Sequence, residues 1–275
     1  MVLAGGSGWT VSEVLCSSGP EDRPFEERHS SPVVAVVLAG TFQYRSQNRR
    51  ELMTPGSLLL GSAGQTFECG HEHATGDRCV SFSYSSGFFE RLAVDAGISR
   101  DSSRFRALRL PPRRVLSALV ARLWSRLCGS AAIAWDEIAL EIAGEALRLD
   151  RGISAVSVNS APNAARSVTG IVRAIERHPE HCWPIESLAH DAGLSPYHFL
   201  RTFEQLIGVT PHQYVLRTRL RQAAIRLTTK SMKIIDVAFD CGFGDISNFN
   251  RTFRAEFGMS PRVYRTRFGR RLASA

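Results

Sequence analysis

The sequence predicts an α+β protein: an N-terminal β-barrel with helices after it, then an all-α domain built from two helix-turn-helix units. Three observations carry this. Short β-branched runs punctuated by Gly and Pro fill residues 25–95. Two amphipathic helical patterns follow, between residues 112 and 149. After a polar stretch, one helix-turn-helix pattern occurs twice, about 50 residues apart.

Val33–Leu38 is a β-branched run closed by Gly40, and Thr41–Arg45 reads as a second short strand. Met53-Thr54-Pro55-Gly56 is a turn, Ser57–Leu60 a third strand, and Phe67–His73 and Cys79–Tyr84 complete the set. Short strands between Gly and Pro turns suggest a sandwich or small barrel. Pro112–Leu127 then carries Val115, Leu116, Leu119, Leu123 and Leu127 at helical spacing, with Pro near its start. Ile133–Leu149 places Ile138, Ile142, Ala146 and Leu149 on one side, with Leu140 and Leu147 widening the stripe. A stripe that wide suits either its own domain or the seam of a dimer. Arg151–Arg166, RGISAVSVNSAPNAAR, has Gly, Ser, Asn and Pro without apolar periodicity and reads as a linker.

The 275 residues allow about two domains of ordinary size. With 44% hydrophobic and 22% charged residues the chain can bury real cores and is not a disordered tail. No apolar run approaches the roughly 18 residues of a membrane span. The start, MVLAGGSGWT, lacks a basic segment ahead of an apolar one, so neither a signal peptide nor membrane attachment is expected, and a cytoplasmic location is. Six scattered Cys do not make a disulfide framework.

The net charge of +8 is unevenly distributed. Residues 1–165 carry 17 basic and 17 acidic side chains, and residues 166–275 the remaining 17 and 9. A neutral first part and a basic second part imply that only the C-terminal part meets a polyanion. Lys230 and Lys233 are the only lysines, the other basic residues being Arg. A genome rich in G and C explains that bias as readily as a preference for the guanidinium fork on phosphate and guanine.

The repeat is the most specific signal. Ala189-x3-Gly193 recurs as Ala238-x3-Gly242, and Phe199-x-Arg201-Thr202-Phe203 as Phe249-x-Arg251-Thr252-Phe253. Gly208-Val209-Thr210-Pro211-x2-Tyr214 recurs as Gly258-Met259-Ser260-Pro261-x2-Tyr264. In each copy a short helix ends at a Gly suited to a left-handed turn. A cap, Ser195 or Asp245, then opens a second helix with Phe199, Phe203 and Leu206, or Phe249, Phe253 and Phe257, inward. Such a unit places its second helix in the major groove. Thr210 and Pro211 open a connecting helix to about Leu227, studded by Arg217, Arg219, Arg221 and Arg226. At about 17 residues it spans roughly 25 Å, a strut suited to two units meeting successive grooves roughly 34 Å apart.

The stretches LAHDAGLSPYHFLRTFEQLIGVTPHQYVLRTRLRQAAIRL and IIDVAFDCGFGDISNFNRTFRAEFGMSPRVYR resemble the AraC/XylS family of bacterial transcription regulators. The resemblance covers about 100 residues, from Val168 to Tyr264, and implies a seven-helix domain with two helix-turn-helix units. Phe25 to His29, Val33–Gly40 and Leu52–Leu60 more weakly resemble the cupin-like barrel of such regulators, which in relatives holds a small effector ahead of dimer-forming helices. The resulting division is a cupin-like sensor domain at 1–110, a helical, dimerisation segment at 111–150, a linker at 151–166 and the double helix-turn-helix domain at 167–271.

The face opposite the inward aromatics shows Tyr197, Leu200, Arg201 and Glu204 on the first recognition helix, and Ile246, Ser247, Asn248, Asn250, Arg251 and Arg254 on the second. The family's base-contacting positions map onto Tyr197, Leu200, Arg201, Ile246, Ser247, Asn250 and Arg251. Arg forks to guanine and Asn suits adenine, each good pair discriminating by about 1–3 kcal/mol. An intradomain ion pair or plain solvation is the competing reading for each Arg. Leu200 and Ile246 either touch a thymine methyl or stand idle, and Glu204 either receives a cytosine amine or orients Arg201. Ser195, Ser247, Thr202 and Thr252 are candidate phosphate contacts.

Cys69-Gly70-His71-Glu72-His73, with Cys79 further on, is a second cluster. Alternate strand residues share a face, so Cys69, His71, His73 and Cys79 are candidate ligands for Zn or another soft metal. A thiol-based sensor and a polar strand with buried thiols are the other readings. No further cofactor is expected.

The expected function is sequence-specific regulation of transcription, controlled by a small effector in the barrel and without enzymatic activity. The expected partners are double-stranded DNA, RNA polymerase if the protein is an activator, and a second copy of the chain. A cupin metalloenzyme with a DNA-binding tail and an architectural DNA-binding protein are the alternatives. The architectural reading fits less well, because such proteins wedge the minor groove.

Overall fold

Ten strands form among the described residues of the computed structural model, which are 1–46, 49–71, 75–98, 104–129, 134–152 and 162–269. They are β1 (Val2–Gly6), β2 (Trp9–Cys16), β3 (Glu26–Arg28), β4 (Val33–Gly40), β5 (Phe42–Ser46), β6 (Arg49–Met53), β7 (Leu58–Gly61), β8 (Thr66–Gly70), β9 (Asp77–Tyr84) and β10 (Arg109–Leu110). One sheet has the order β1-β2-β9-β4-β7-β10 and the other β3-β8-β5-β6, every pairing being antiparallel.

Burial on both faces explains why β4 is apolar along its length. Ala35, Val37 and Cys79 turn inward, where Phe42, Tyr44, Met53 and Leu59 complete a buried cluster. The intervening Val34, Val36, Val80 and Phe82 are also fully buried. A strand covered on both faces has no polar side to display. The two sheets fit the cupin-like expectation, although they do not close into a continuous barrel. Helix α1 (Ser86–Asp95) and helix α3 (Trp135–Arg151) belong to this unit. The Ile138, Ile142 and Ala146 stripe of α3 is buried, and Tyr84 Oη donates to Ala139 O at 2.8 Å. Leu140 stays 44% exposed. The apolar stripe is thus occupied by packing within its own unit. Buried Asp150 near the end of α3 accepts from the Arg106 and Ala107 amides, fixing the chain ahead of β10.

The second unit contains α2 (Arg114–Leu127) and most of the chain after Gly170. Its later helices are α4 (Pro162–Arg177), entering from the first unit, α5 (Ile185–Asp191), α6 (Pro196–Ile207), α7 (Pro211–Thr229), α8 (Ile234–Asp240), α9 (Ile246–Phe257) and α10 (Pro261–Phe268). Of the stretch read as a linker, 153–161 lie outside the described residues, and α4 takes up its last residues. Within the unit α2 lies against α7 and α9, with Ser125 Oγ and Thr228 Oγ1 3.2 Å apart. No helix among the described residues is long and apolar enough to cross a membrane.

Candidate nucleic-acid interface

The two copies of the repeat fold alike down to individual hydrogen bonds. In the first, Gly193 N donates to His190 O and Leu194 N to Ala189 O, both at 2.9 Å. In the second, Gly242 N donates to Phe239 O at 2.9 Å and Phe243 N to Ala238 O at 3.1 Å. Both glycines are left-handed, with φ of +66° and +83°. Ala189 and Ala238 occupy equivalent positions and are both buried. The Ser195 hydroxyl accepts from His198 N, and the Asp245 carboxylate caps α9 by accepting from Asn248 N at 2.7 Å.

The aromatic core repeats as well. Phe199, Phe203, Phe249 and Phe253 are fully buried, and each copy closes edge-on against a tyrosine, Phe203 on Tyr214 and Phe253 on Tyr264. One detail differs from the sequence reading. Ile207 takes the fully buried position expected of Leu206, which is half-buried, because a spacing of four follows from Phe203.

This packing turns the opposite faces outward. Tyr197, Leu200, Arg201 and Glu204 are exposed on α6, and Ser247, Asn250, Arg251 and Arg254 on α9, while Ile246 and Asn248 are half-buried. Arg201 lies over the Tyr197 ring at 5.9 Å, and Arg251 donates to Asn248 Oδ1 at 3.1 Å. Among the described residues none of Arg201, Arg251 and Arg254 is in an ion pair, so their charge is available to a ligand. A groove of about 740 Å³ runs along α9, lined by Ile246, Asn250, Arg251, Arg254, Ser260 and Arg262 among others. Ser260 and Arg262 were missed by the sequence reading; the repeat, which aligns Ser260 with Thr210, was the available signal. Thr252 turns its hydroxyl back to Asn248 O at 2.6 Å, the packed alternative for this side chain.

The connecting helix runs 19 residues, about 28 Å at 1.5 Å per residue. Thr210 and Gln213 form a reciprocal capping box at its start. Its arginines are turned to the fold. Arg221 meets the Glu176 carboxylate at 2.7 and 2.8 Å, and that carboxylate also accepts from Tyr214 Oη and Thr218 Oγ1. Arg219 donates to the carbonyls of Pro179 and His181, Arg226 pairs with Asp240 and Arg217 with Glu256.

In the first unit, the Cys/His cluster is only partly assembled as the sequence suggested. β8 ends at Gly70, so Cys69 lies on the strand and His71 just beyond it, while His73 lies outside the described residues. Cys69 and Cys79 both belong to the inner cluster between the sheets. His71 is buried and donates from Nε2 to Asp77 Oδ1 at 2.7 Å, and Cys79 Sγ donates to Asp77 Oδ2 at 3.1 Å. Burial first, then the Asp77 charge, pushes the Cys69 and Cys79 thiols well above their ordinary value. Free thiolates, which an electrophile sensor needs, are therefore disfavoured at both. A second cluster of ligand-type residues, His178, Glu180 and His181, is exposed in the helical unit.

Residues 188–267 match the family model of a helix-turn-helix domain. The chain is 37% identical over 114 residues to the transcriptional activator RhaS of Citrobacter koseri, covering 41% of this chain and 40% of RhaS. It is 32% identical over 97 residues to RclR of Escherichia coli, an RCS-specific transcriptional activator, covering 35% of this chain and 34% of RclR. The chain spans about a third to two-fifths of the length of the curated relatives it matches. Among solved structures it is similar to the DNA-binding domain of AdpA in complex with a target DNA, at 31% identity and a TM-score of 0.36, covering 36% of this chain and 90% of that one. The chain thus carries an AraC-type helix-turn-helix domain, and there it is a homologue of the AraC-family regulators.

Proposed function

We propose that the chain is a sequence-specific DNA-binding regulator of transcription whose helices α6 and α9 enter successive major grooves. The observation that carries this reading is the pair of structurally equivalent recognition helices, each with exposed polar and basic side chains and no internal ion pair on its Arg. Arg201 and Arg251 would fork to guanine, Asn250 would meet adenine, and Tyr197, Leu200, Ile246 and Ser247 would complete the two reading faces. Arg254 would add a backbone or base contact at the far end of α9.

The two curated relatives named above are transcriptional activators, which supports this reading over a metalloenzyme or an architectural protein. We extend it to activation through RNA polymerase, control by a small effector in the N-terminal sheets, a homodimer as the working form, a cytoplasmic setting and no enzymatic activity. Genomic footprinting followed by gel shifts on the recovered site tests the proposal. Discrete protected sites near promoters are expected, and Arg251→Ala should weaken the specific complex by about 1–3 kcal/mol, roughly 5- to 150-fold, with unchanged melting. Uniform coverage of DNA, or unchanged affinity in Arg251→Ala, would count against it.

A further inference from the structure

Asp77 opens β9 at the point where three segments of the first unit converge. It pairs across the ladder with Cys16, the last residue of β2, and on its other side with Gly40, the last residue of β4. Antiparallel partners directly opposite one another share a face, so the Cys16 thiol and the Asp77 carboxylate lie on the same side of the sheet. Cys79, two residues along β9, lies on that side too. His71 comes in from the end of β8. One ligand atom each from Cys16, His71 and Asp77 lies within 4.8 Å of the other two, and Cys79 Sγ is 3.1 Å from the second Asp77 oxygen.

The backbone is shaped for this approach. Gly40 has φ +80°, and a Cβ there would come within 2.3 Å of Gly76 O and 2.6 Å of Asp77 Cα. Any other residue would hold the end of β4 away from Asp77. The His71 and Asp77 side chains are only 3% and 7% exposed, so the carboxylate and the imidazole meet where water has little access, beside a buried Cys79 and a half-buried Cys16.

We propose that Cys16, His71, Asp77 and Cys79 are the four ligands of a single thiophilic divalent cation of the zinc(II) class. Two sulfurs, one imidazole nitrogen and one carboxylate oxygen suit tetrahedral Zn(II). The carboxylate disfavours Cu(I), and the thiols disfavour Mg(II) and Ca(II). With metal–nitrogen and metal–oxygen bonds near 2.1 Å, tetrahedral ligand atoms sit about 3.4 Å apart. The cation therefore fits by widening the His71–Asp77 contact and drawing in both the Cys16 and Cys79 sulfurs, Cys79 standing outside the trio whose ligand atoms all lie within 4.8 Å of one another. Binding sends the two thiol protons to solvent, and the proton that His71 holds on Nε2 moves to Nδ1, which frees Nε2 for the metal. Cys69 is left in the apolar cluster beside Tyr44. This site is independent of the DNA-binding reading and lies outside the region shared with the helix-turn-helix relatives.

The test is equilibrium dialysis of the full chain, thiols reduced, against Zn²⁺, with metal counted by mass spectrometry, and parallel loading with Co²⁺ followed by absorption. One equivalent per chain and the thiolate-to-cobalt charge-transfer band of a tetrahedral site are expected. Cys16→Ser and His71→Gln should each weaken binding by more than the roughly 10–100-fold that outer-shell changes cost. The double variant His178→Gln/His181→Gln, at the exposed cluster, should bind as the parent does. Cys16 is half-buried at a strand end and its Ser replacement is nearly isosteric, so that variant decides the matter if His71→Gln fails to fold; circular dichroism reports folding. Substoichiometric metal in the parent, a cobalt spectrum without thiolate bands, undiminished affinity in folded Cys16→Ser, or loss of binding in the His178/His181 variant would each overturn the proposal.

Discussion

The duplicated turn offers a matched pair of perturbations, Gly193→Ala and Gly242→Ala. Both glycines are left-handed, so an added Cβ carries about 1–2 kcal/mol of backbone strain, partly offset by the lower entropy of Ala in the unfolded chain. The surroundings then separate them. A Cβ at Gly193 meets nothing within 4 Å, whereas one at Gly242 would stand 2.7 Å from Glu180 Cα and 2.9 Å from Glu180 O. Those are backbone atoms and cannot rotate away. They sit in a segment that Arg219 holds through the Pro179 and His181 carbonyls, at 2.6 and 2.8 Å. Relieving the overlap means shifting that segment, an overpacking cost of about 1–3 kcal/mol. The expected losses are therefore about 1 kcal/mol for Gly193→Ala and about 2–4 kcal/mol for Gly242→Ala. Urea unfolding of the full chain, followed by the helical circular dichroism signal at matched slopes, measures both. Equal losses, or a larger one at Gly193, would refute the reasoning from close approach.

Two further outcomes follow from buried polar groups. Glu176→Ala removes the carboxylate that gathers Tyr214, Thr218 and Arg221 and strands the Arg221 charge; it should cost about 3 kcal/mol or more in thermal unfolding, and Glu176→Gln less. His29, stacked on Phe67 and 2.7 Å from Tyr44 Oη, is held by burial at about 4, below its usual 6.5. The unfolded chain takes up that proton first as pH falls. The contribution of His29 to stability is thus complete above about pH 6.5 and fades toward pH 4, by up to about 3 kcal/mol. Unfolding measured across that window should slope less in His29→Gln; an unchanged slope would assign the acid sensitivity elsewhere.

The helical domain was legible because its information is local and written twice. Gly193, Gly242, the caps and the Phe spacing each act within one turn of chain, so periodicity alone located α5 through α9 to within a few residues. The first domain was less so. β1 and β2 were not assigned, since VLAGGSGWT offers little alternation, and their strand character comes from pairing with one another and with β9. Helix α1 was missed because SGFFERLAVD falls inside residues 25–95, which were read as strands, although Phe89 and Ala93 stand at helical spacing and are buried. The clearest omission was Cys16, which lies 61 residues from Asp77 along the chain and reaches it only through the β2–β9 register. A spacing motif within residues 69–79 found Cys69, His71 and Cys79 but had no means of reaching across a sheet.

The arginines along the connecting helix carry a consequence for how firmly the protein should grip a nucleic acid. Four of them are already neutralised by carboxylates or occupied by carbonyls of the same domain, so they make the rod stiff rather than sticky. The counterions shed on complex formation should track the few cations on the probing faces, with a salt slope of about −0.9 for each phosphate those residues meet. A surplus of positive charge read from composition would then overstate nonspecific attraction, leaving recognition to depend more on the sequence encountered than on the polymer's charge.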